Sequence, residues 1–166
     1  MKTEKSTAPQ FSTLIENIVD LIEKGNAHVP LDDALKNIPF ALLGEKPQGL
    51  PYSIWQIVEH IRIAQWDILE FSRNSDHVSP QWPDGYWPKE AVPKSQDAWN
   101  KCIEQIHADR NSFIELIKHA GDDLYEPFEY GSGQSLLKEA LVLADHNSYH
   151  TGEIIIVRRL LNAWKK

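Results

Sequence analysis

The sequence predicts an all-α protein, a four-helix bundle with a long Pro/Trp-rich loop between its second and third helices. Three observations predict it. Four separate stretches repeat apolar residues at the three- and four-residue spacing that lines one face of a helix. No stretch alternates apolar and polar residues as a half-buried strand does. Four amphipathic helices in a chain of 166 residues bury their apolar faces most simply against one another.

Residues 1–9 read as a flexible lead-in to a single domain spanning 1–166. From Phe11, the apolar positions Leu14, Ile15, Ile18, Val19 and Ile22 follow helical spacing, and Gly25 with Asn26 ends that helix. Residues 27–52 hold four of the ten prolines, which leaves room for only a short helical turn over 31–38. Ser53-Ile54-Trp55-Gln56 then has the S-x-x-Q pattern of a capping box. Ile54, Ile57, Val58, Ile61, Ile68 and Leu69 carry the second helix to about Arg73. Residues 74–94 contain Pro80, Pro83, Pro88 and Pro93 with Trp82, Tyr86 and Trp87, too long and too aromatic for a simple connector. A third helix starts near Ser95 and runs through Trp99, Ile103, Ile106, Phe113, Ile114 and Ile117 to Gly121. Gly131 and Gly133 mark a loop, and the fourth helix runs from about Gln134 to Ala163.

Composition narrows the function. Net charge is -7, which argues against nucleic acid or an anionic membrane surface as the main partner. The single cysteine, Cys102, excludes a disulfide framework and a Cys-cluster zinc site. It falls in the apolar row of the third helix, so it belongs to the core. No apolar h-region follows Met1, and no apolar run reaches the roughly 18 residues of a membrane span. A cytoplasmic protein is expected. Six Trp and five Tyr suggest a lined pocket or an aromatic loop as much as a core.

The chemistry centres on Asp145-His146-Asn147-Ser148-Tyr149-His150-Thr151-Gly152-Glu153. His146 and His150 are four apart, so on a helix they share one face, with Cβ atoms about 5–6 Å apart. Two such rings can aim nitrogens at one metal ion, as in H-E-x-x-H. They can equally be two hydrogen-bonded histidines on a helix surface. A third ligand decides the matter. His28 and His77 fall in loops, and His119 suits the last turn of a helix through its dipole. His107 follows Glu104 as half of a di-iron Glu-x-x-His motif, but no second copy faces it. His60 lies inside the second helix in the row Gln56–His60–Ile63–Asp67. A lone histidine there is ordinarily a satisfied core residue, yet this one can complete His146 and His150 into a three-His set.

Three neutral imidazoles suit Zn, Ni, Fe or Cu rather than Mg or Ca, with Zn or Ni expected first. Three protein ligands leave a position for water or substrate, the pattern of catalytic zinc. The metal would lower the pKa of its water and could bind a thiolate. Each ligating histidine needs a partner for its other N–H. Glu59, Asp145 and Glu153 are the nearby carboxylates, with surface charge or capping as their other reading.

The chain resembles the DinB-like (YfiT-like) superfamily of four-helix-bundle metalloproteins. The resemblance rests on Trp55-Gln56-Ile57-Val58-Glu59-His60, on Gly85-Tyr86-Trp87-Pro88 with Pro93 and Trp99, and above all on 145–153. It covers about residues 11–163. It implies an unusual helix connection order and a divalent transition metal held by His60, His146 and His150, with the fourth side open to water. Members of that family include transferases that use low-molecular-weight thiols such as bacillithiol, mycothiol or glutathione, while many others have no assigned activity. The family is unrelated to the DNA polymerase that shares its name.

The resulting expectation is a metal-dependent thiol S-transferase or hydrolase acting on a small molecule. No side chain is assigned as its catalytic group, and water or a thiol on the metal is the candidate. The alternative is a non-catalytic metal-stabilised bundle or a ligand-binding stress module. Tyr86, Trp87 and Tyr149 are the expected pocket lining. The Tyr86-Trp87-Pro88 segment would fold over the metal end, capping the core ahead of touching substrate. A two-fold homodimer is expected, as the commonest closed arrangement.

Overall fold

A computed structural model describes residues 8–164. The lead-in expected over 1–9 lies outside the described residues, apart from residues 8 and 9 in the first turn of the first helix. The protein is all-helical. Its helices are α1 (Ala8–Lys24), α2 (Leu31–Leu35), α3 (Ile54–Arg73), α4 (Gln96–His119) and α5 (Leu136–Leu160). Short 3₁₀ turns occupy Phe40–Leu42, Asp84–Tyr86 and Gly121–Leu124. Among the described residues there is no strand, only an isolated bridge between Pro127 and Ser135. No helix among them is long and apolar enough to cross a membrane.

The helix ends follow local chemistry. The capping box forms as expected: Ser53 Oγ accepts from the Gln56 amide at 3.2 Å, and Gln56 Oε1 accepts from the Ser53 amide at 3.3 Å. Ser53 is fully buried and also donates its hydroxyl hydrogen to the Ala91 carbonyl. Ser53→Ala therefore removes a cap and leaves the half-buried Ala91 carbonyl without this donor, and should cost about 1–2 kcal/mol, read from denaturant unfolding. α5 is shorter than the sequence suggests at both ends. Ser135 Oγ accepts from the Lys138 amide, so the helix begins after it. At the other end Asn162 adopts a positive φ of 56°, and the Arg158 guanidinium binds the Ala163 carbonyl. The chain is turned back three residues before the expected end.

α3 packs along α4 on one side and α5 on the other. α1 lies against α4 and α5, and α2 rests on α5. α1 thus packs chiefly on helices other than α3, the next long helix in the chain, and residues 25–53 bridge the two. The interior holds two apolar clusters. One gathers Ile54, Ile57, Ile61, Ile106 and Ile154. The other gathers Ile18, Leu69, Phe113, Ile117 and Leu143. A polar strip is also buried between α3, α4 and α5. Gln65 donates to the Ile106 carbonyl at 2.6 Å, Asn147 donates to Gln65 Oε1 at 3.0 Å, and Thr151 donates to the Asn147 carbonyl at 2.6 Å. Buried polar groups are costly unless paired, so this strip fixes how α3 and α5 are rotated against each other. Those are the two helices that carry His60, His146 and His150. Cys102 is buried in the first cluster, as expected, and burial beside Glu59 pushes its thiol pKa up.

Candidate metal centre

His60 projects from α3 toward His146 and His150 on α5. Its Nε2 lies 3.1 Å from His150 Nε2 and 3.0 Å from His146 Nε2. The outer nitrogens have partners. His60 Nδ1 faces the Tyr86 carbonyl at 2.9 Å, and His150 Nδ1 faces Glu153 Oε2 at 2.7 Å. His146 Nδ1 has only a long contact, 3.5 Å, with Asn147 Oδ1.

These contacts set the protonation. A carbonyl and a carboxylate only accept, so Nδ1 of His60 and Nδ1 of His150 must each carry a hydrogen. In the neutral rings both Nε2 atoms are then bare. Two bare nitrogens 3.1 Å apart point lone pair at lone pair. A proton or a cation between them relieves that repulsion. Protonation is disfavoured here. Burial first, then repulsion from His150 and His60, brings the His146 pKa down to about 4. Burial and then His60 bring His150 down to about 4. Burial likewise lowers His60, against the pull of the Tyr86 carbonyl and Glu153. Three rings kept neutral at neutral pH, with Nε2 atoms converging, fit an imidazole-binding metal ion. Among the described residues this is the group of His, Cys, Asp and Glu side chains placed to share one ion.

The surroundings are aromatic. Trp87 stacks flat on His60, with centroids 3.9 Å apart and planes 3° apart, and Tyr52 stacks on the far face of Trp87 at 3.8 Å. The loop carrying Trp87 is held by one stripe of α3. Ser53 takes the Ala91 carbonyl, Gln56 the Pro88 carbonyl, and His60 that of Tyr86. Asp67 accepts from Tyr86 Oη at 2.6 Å and from His77 Nε2 at 2.7 Å. A cavity of about 420 Å³ opens on the three histidines, walled by Trp82, Trp87, Val142 and Tyr149.

The expected site residues fare unevenly. The structure brings His60, His146 and His150 together, and Tyr86, Trp87 and Tyr149 line the same cavity. Glu153 holds a ligand-candidate ring, as the sequence suggested. Asp145 is exposed and makes no hydrogen bond to His146, although its charge acts on that ring. Glu59 does not support the site. It forks to Arg62 at 2.6 and 2.9 Å, because it precedes His60 by one residue and points about 100° around the helix. His107 binds Asp32 at 2.9 Å, so the Glu104–His107 di-iron alternative is not assembled. His119 caps the Glu115 carbonyl, and His28 binds Ser148. Tyr52, Asp67 and His77 were missed. Asp67 had a signal, since it lies two turns from His60 on the same row. Tyr52 and His77 had none.

Glu153→Gln keeps the shape but replaces the acceptor charge behind His150. Metal affinity should fall about 10–100-fold, measured by competition with a chromophoric chelator. Unchanged affinity would remove Glu153 from the site.

The family model of the DinB superfamily matches residues 30–154. That span runs from the start of α2 into the last third of α5 and contains all three histidines. No curated protein and no solved structure matched the chain. The family match spans well over half of the sequence and coincides with the elements that build the histidine cluster, and the chain belongs to the DinB superfamily.

Proposed function

We propose that this chain is a metal-dependent enzyme of the thiol S-transferase or hydrolase type, with His60, His146 and His150 as ligands on the family's four-helix bundle. The observation that carries the proposal is the convergence of three Nε2 atoms whose rings are held neutral by burial. A divalent ion of the Zn or Ni type supplies Lewis acidity there and lowers the pKa of a bound thiol or water. The chain's own residues do the rest. Glu153 keeps the proton on His150 Nδ1, and the Tyr86 carbonyl does the same for His60. The Tyr52–Trp87 stack shields the back of His60 from water. Trp82 and Tyr149 offer flat apolar surface to a small electrophile beside the ligands.

The test is conjugation of a low-molecular-weight thiol to monochlorobimane, with metal added and then removed by chelator. Metal-dependent turnover is expected, and elemental analysis of protein purified without a tag should show about one ion per chain. Rates that are the same with and without metal in every trial sink the proposal. Both apolar clusters are built from side chains other than the three histidines. Chelation should therefore abolish turnover while shifting the melting temperature little. A collapse of the melting temperature without turnover would favour the non-catalytic, metal-stabilised reading.

A further inference from the structure

The cavity over the histidines continues past them along α3. His60, Ala64, Asp67 and Ile68 line it from one side of that helix. Seven residues of helix set Asp67 about 10 Å along the axis from His60. The cavity therefore has two poles. At one stand the histidines, with Glu153 bonded to His150. At the other, Asp67 accepts from Tyr86 Oη at 2.6 Å. There Trp82 meets the Tyr86 ring with centroids 5.5 Å apart and planes at 61°, which gives two non-parallel aromatic walls. We infer that this far pole binds an organic cation, an alkylammonium group held against Asp67 and the rings of Tyr86 and Trp82, while the reactive end of the same molecule lies at the histidines.

Three features select a cation. The first is the charge of the wall. Among the described residues no Lys or Arg lines the cavity, whereas Asp67 and Glu153 both do. Glu153 is engaged at the histidine pole, so Asp67 is the charge that serves the other. A carboxylate or phosphate group on a ligand finds no counter-ion at this pole. The second is the setting of Asp67. It is buried, and in low dielectric its charge attracts more strongly than it does in water. Tyr86 Oη and His77 Nε2 each take one of its oxygens, and a carboxylate has about four acceptor sites, so capacity remains for an ammonium hydrogen. The third is the aromatic wall. Trp82 alone of the six tryptophans is exposed, at 72%, and it stands at the mouth of this cavity. Cations are drawn to the faces of Trp and Tyr rings. A phenol that donates to a carboxylate has a more electron-rich ring, so the Tyr86–Asp67 bond strengthens that attraction.

That the bound cation belongs to a substrate rests on the metal-enzyme reading, but its binding needs no metal, so the two can fail separately. The test is a ligand-observed NMR titration of the full chain in chelator. The probes are choline, its neutral isostere 3,3-dimethylbutan-1-ol, and the anion 3,3-dimethylbutanoate. Choline should bind about 10-fold or more tighter than the neutral alcohol, and the anion weakest of the three. Asp67→Asn keeps the shape and removes the charge. It should erase the preference for choline while leaving the affinity for the alcohol unchanged. Trp82 is exposed, so Trp82→Ala should keep its helical circular dichroism and lower choline affinity about 5-fold or more. Equal binding of choline and the alcohol overturns the inference, as does tighter binding of the anion or no choline binding at tens of millimolar. So does a preference that survives Asp67→Asn, or a choline affinity that survives Trp82→Ala. Choline preference without metal-dependent turnover would remove the metal-enzyme reading and leave the cation site standing.

Discussion

His60→Ala should empty the metal site, and so should His146→Ala and His150→Ala. Loss of a group behind a ligand costs about 10–100-fold in affinity. Loss of a ligand itself should cost more than about 100-fold, enough to strip the ion during dialysis. The three single variants should look alike, because the three Nε2 atoms act on one point, 3.0 and 3.1 Å apart at the contacts made by His60. Double variants should be little worse than singles, since residues that work as a unit are not additive. Conjugating activity should disappear with the metal in each case. His107→Ala and His119→Ala are the controls. His107 is committed to Asp32 and His119 to the Glu115 carbonyl, both away from the cluster. Metal that survives His60→Ala but vanishes in His107→Ala would show that the wrong histidines have been chosen, and would restore the Glu104–His107 site to consideration.

The same residues show where sequence is informative and where it is silent. Local rules carried well. The Ser53–Gln56 capping box placed the start of α3, and the i, i+4 spacing of His146 and His150 placed both rings on one face. Helical geometry also explains the mixed result for the carboxylates. Glu153 follows His150 by three residues and sits beside it, which is where an acceptor for Nδ1 must be. Glu59 and Asp145 each precede a histidine by one residue, so each points around the helix from its ring. Applied to the sequence alone, that rule would have separated the three. The tertiary partners could not be read in this way. The Tyr86 carbonyl reaches His60 because residues 74–94 fold along the α3 stripe, and nothing local dictates that path. The Gln65–Asn147 contact joins residues 82 apart in sequence, and it is visible only once α3 and α5 are side by side.

Acid should destabilise the metal-free protein in a defined window. Burial and mutual repulsion hold His146 and His150 at about 4 in the folded chain. Unfolding frees both rings to titrate near 6.5. Between pH 6.5 and 4 the unfolded chain therefore binds protons that the folded chain does not. Stability is full above pH 6.5 and falls as the pH drops toward 4, by up to about 1.4 kcal/mol per unit for each ring. The neighbouring charges oppose this. Glu153 faces His150, and Asp145 acts on His146, but neither outweighs desolvation. Denaturant unfolding in chelator at stepped pH measures the slope, and a flat profile from pH 7.5 to 4 would contradict it. The same low proton affinity protects the metal. Protons compete for these rings only at lower pH than for ordinary imidazoles, so the ion should be retained further into acid than by an exposed three-imidazole site. Elemental analysis after dialysis at each pH reads the release directly. Release that begins at the same pH as from an exposed three-imidazole peptide of matched affinity would mean that the rings are not desolvated as the structure places them.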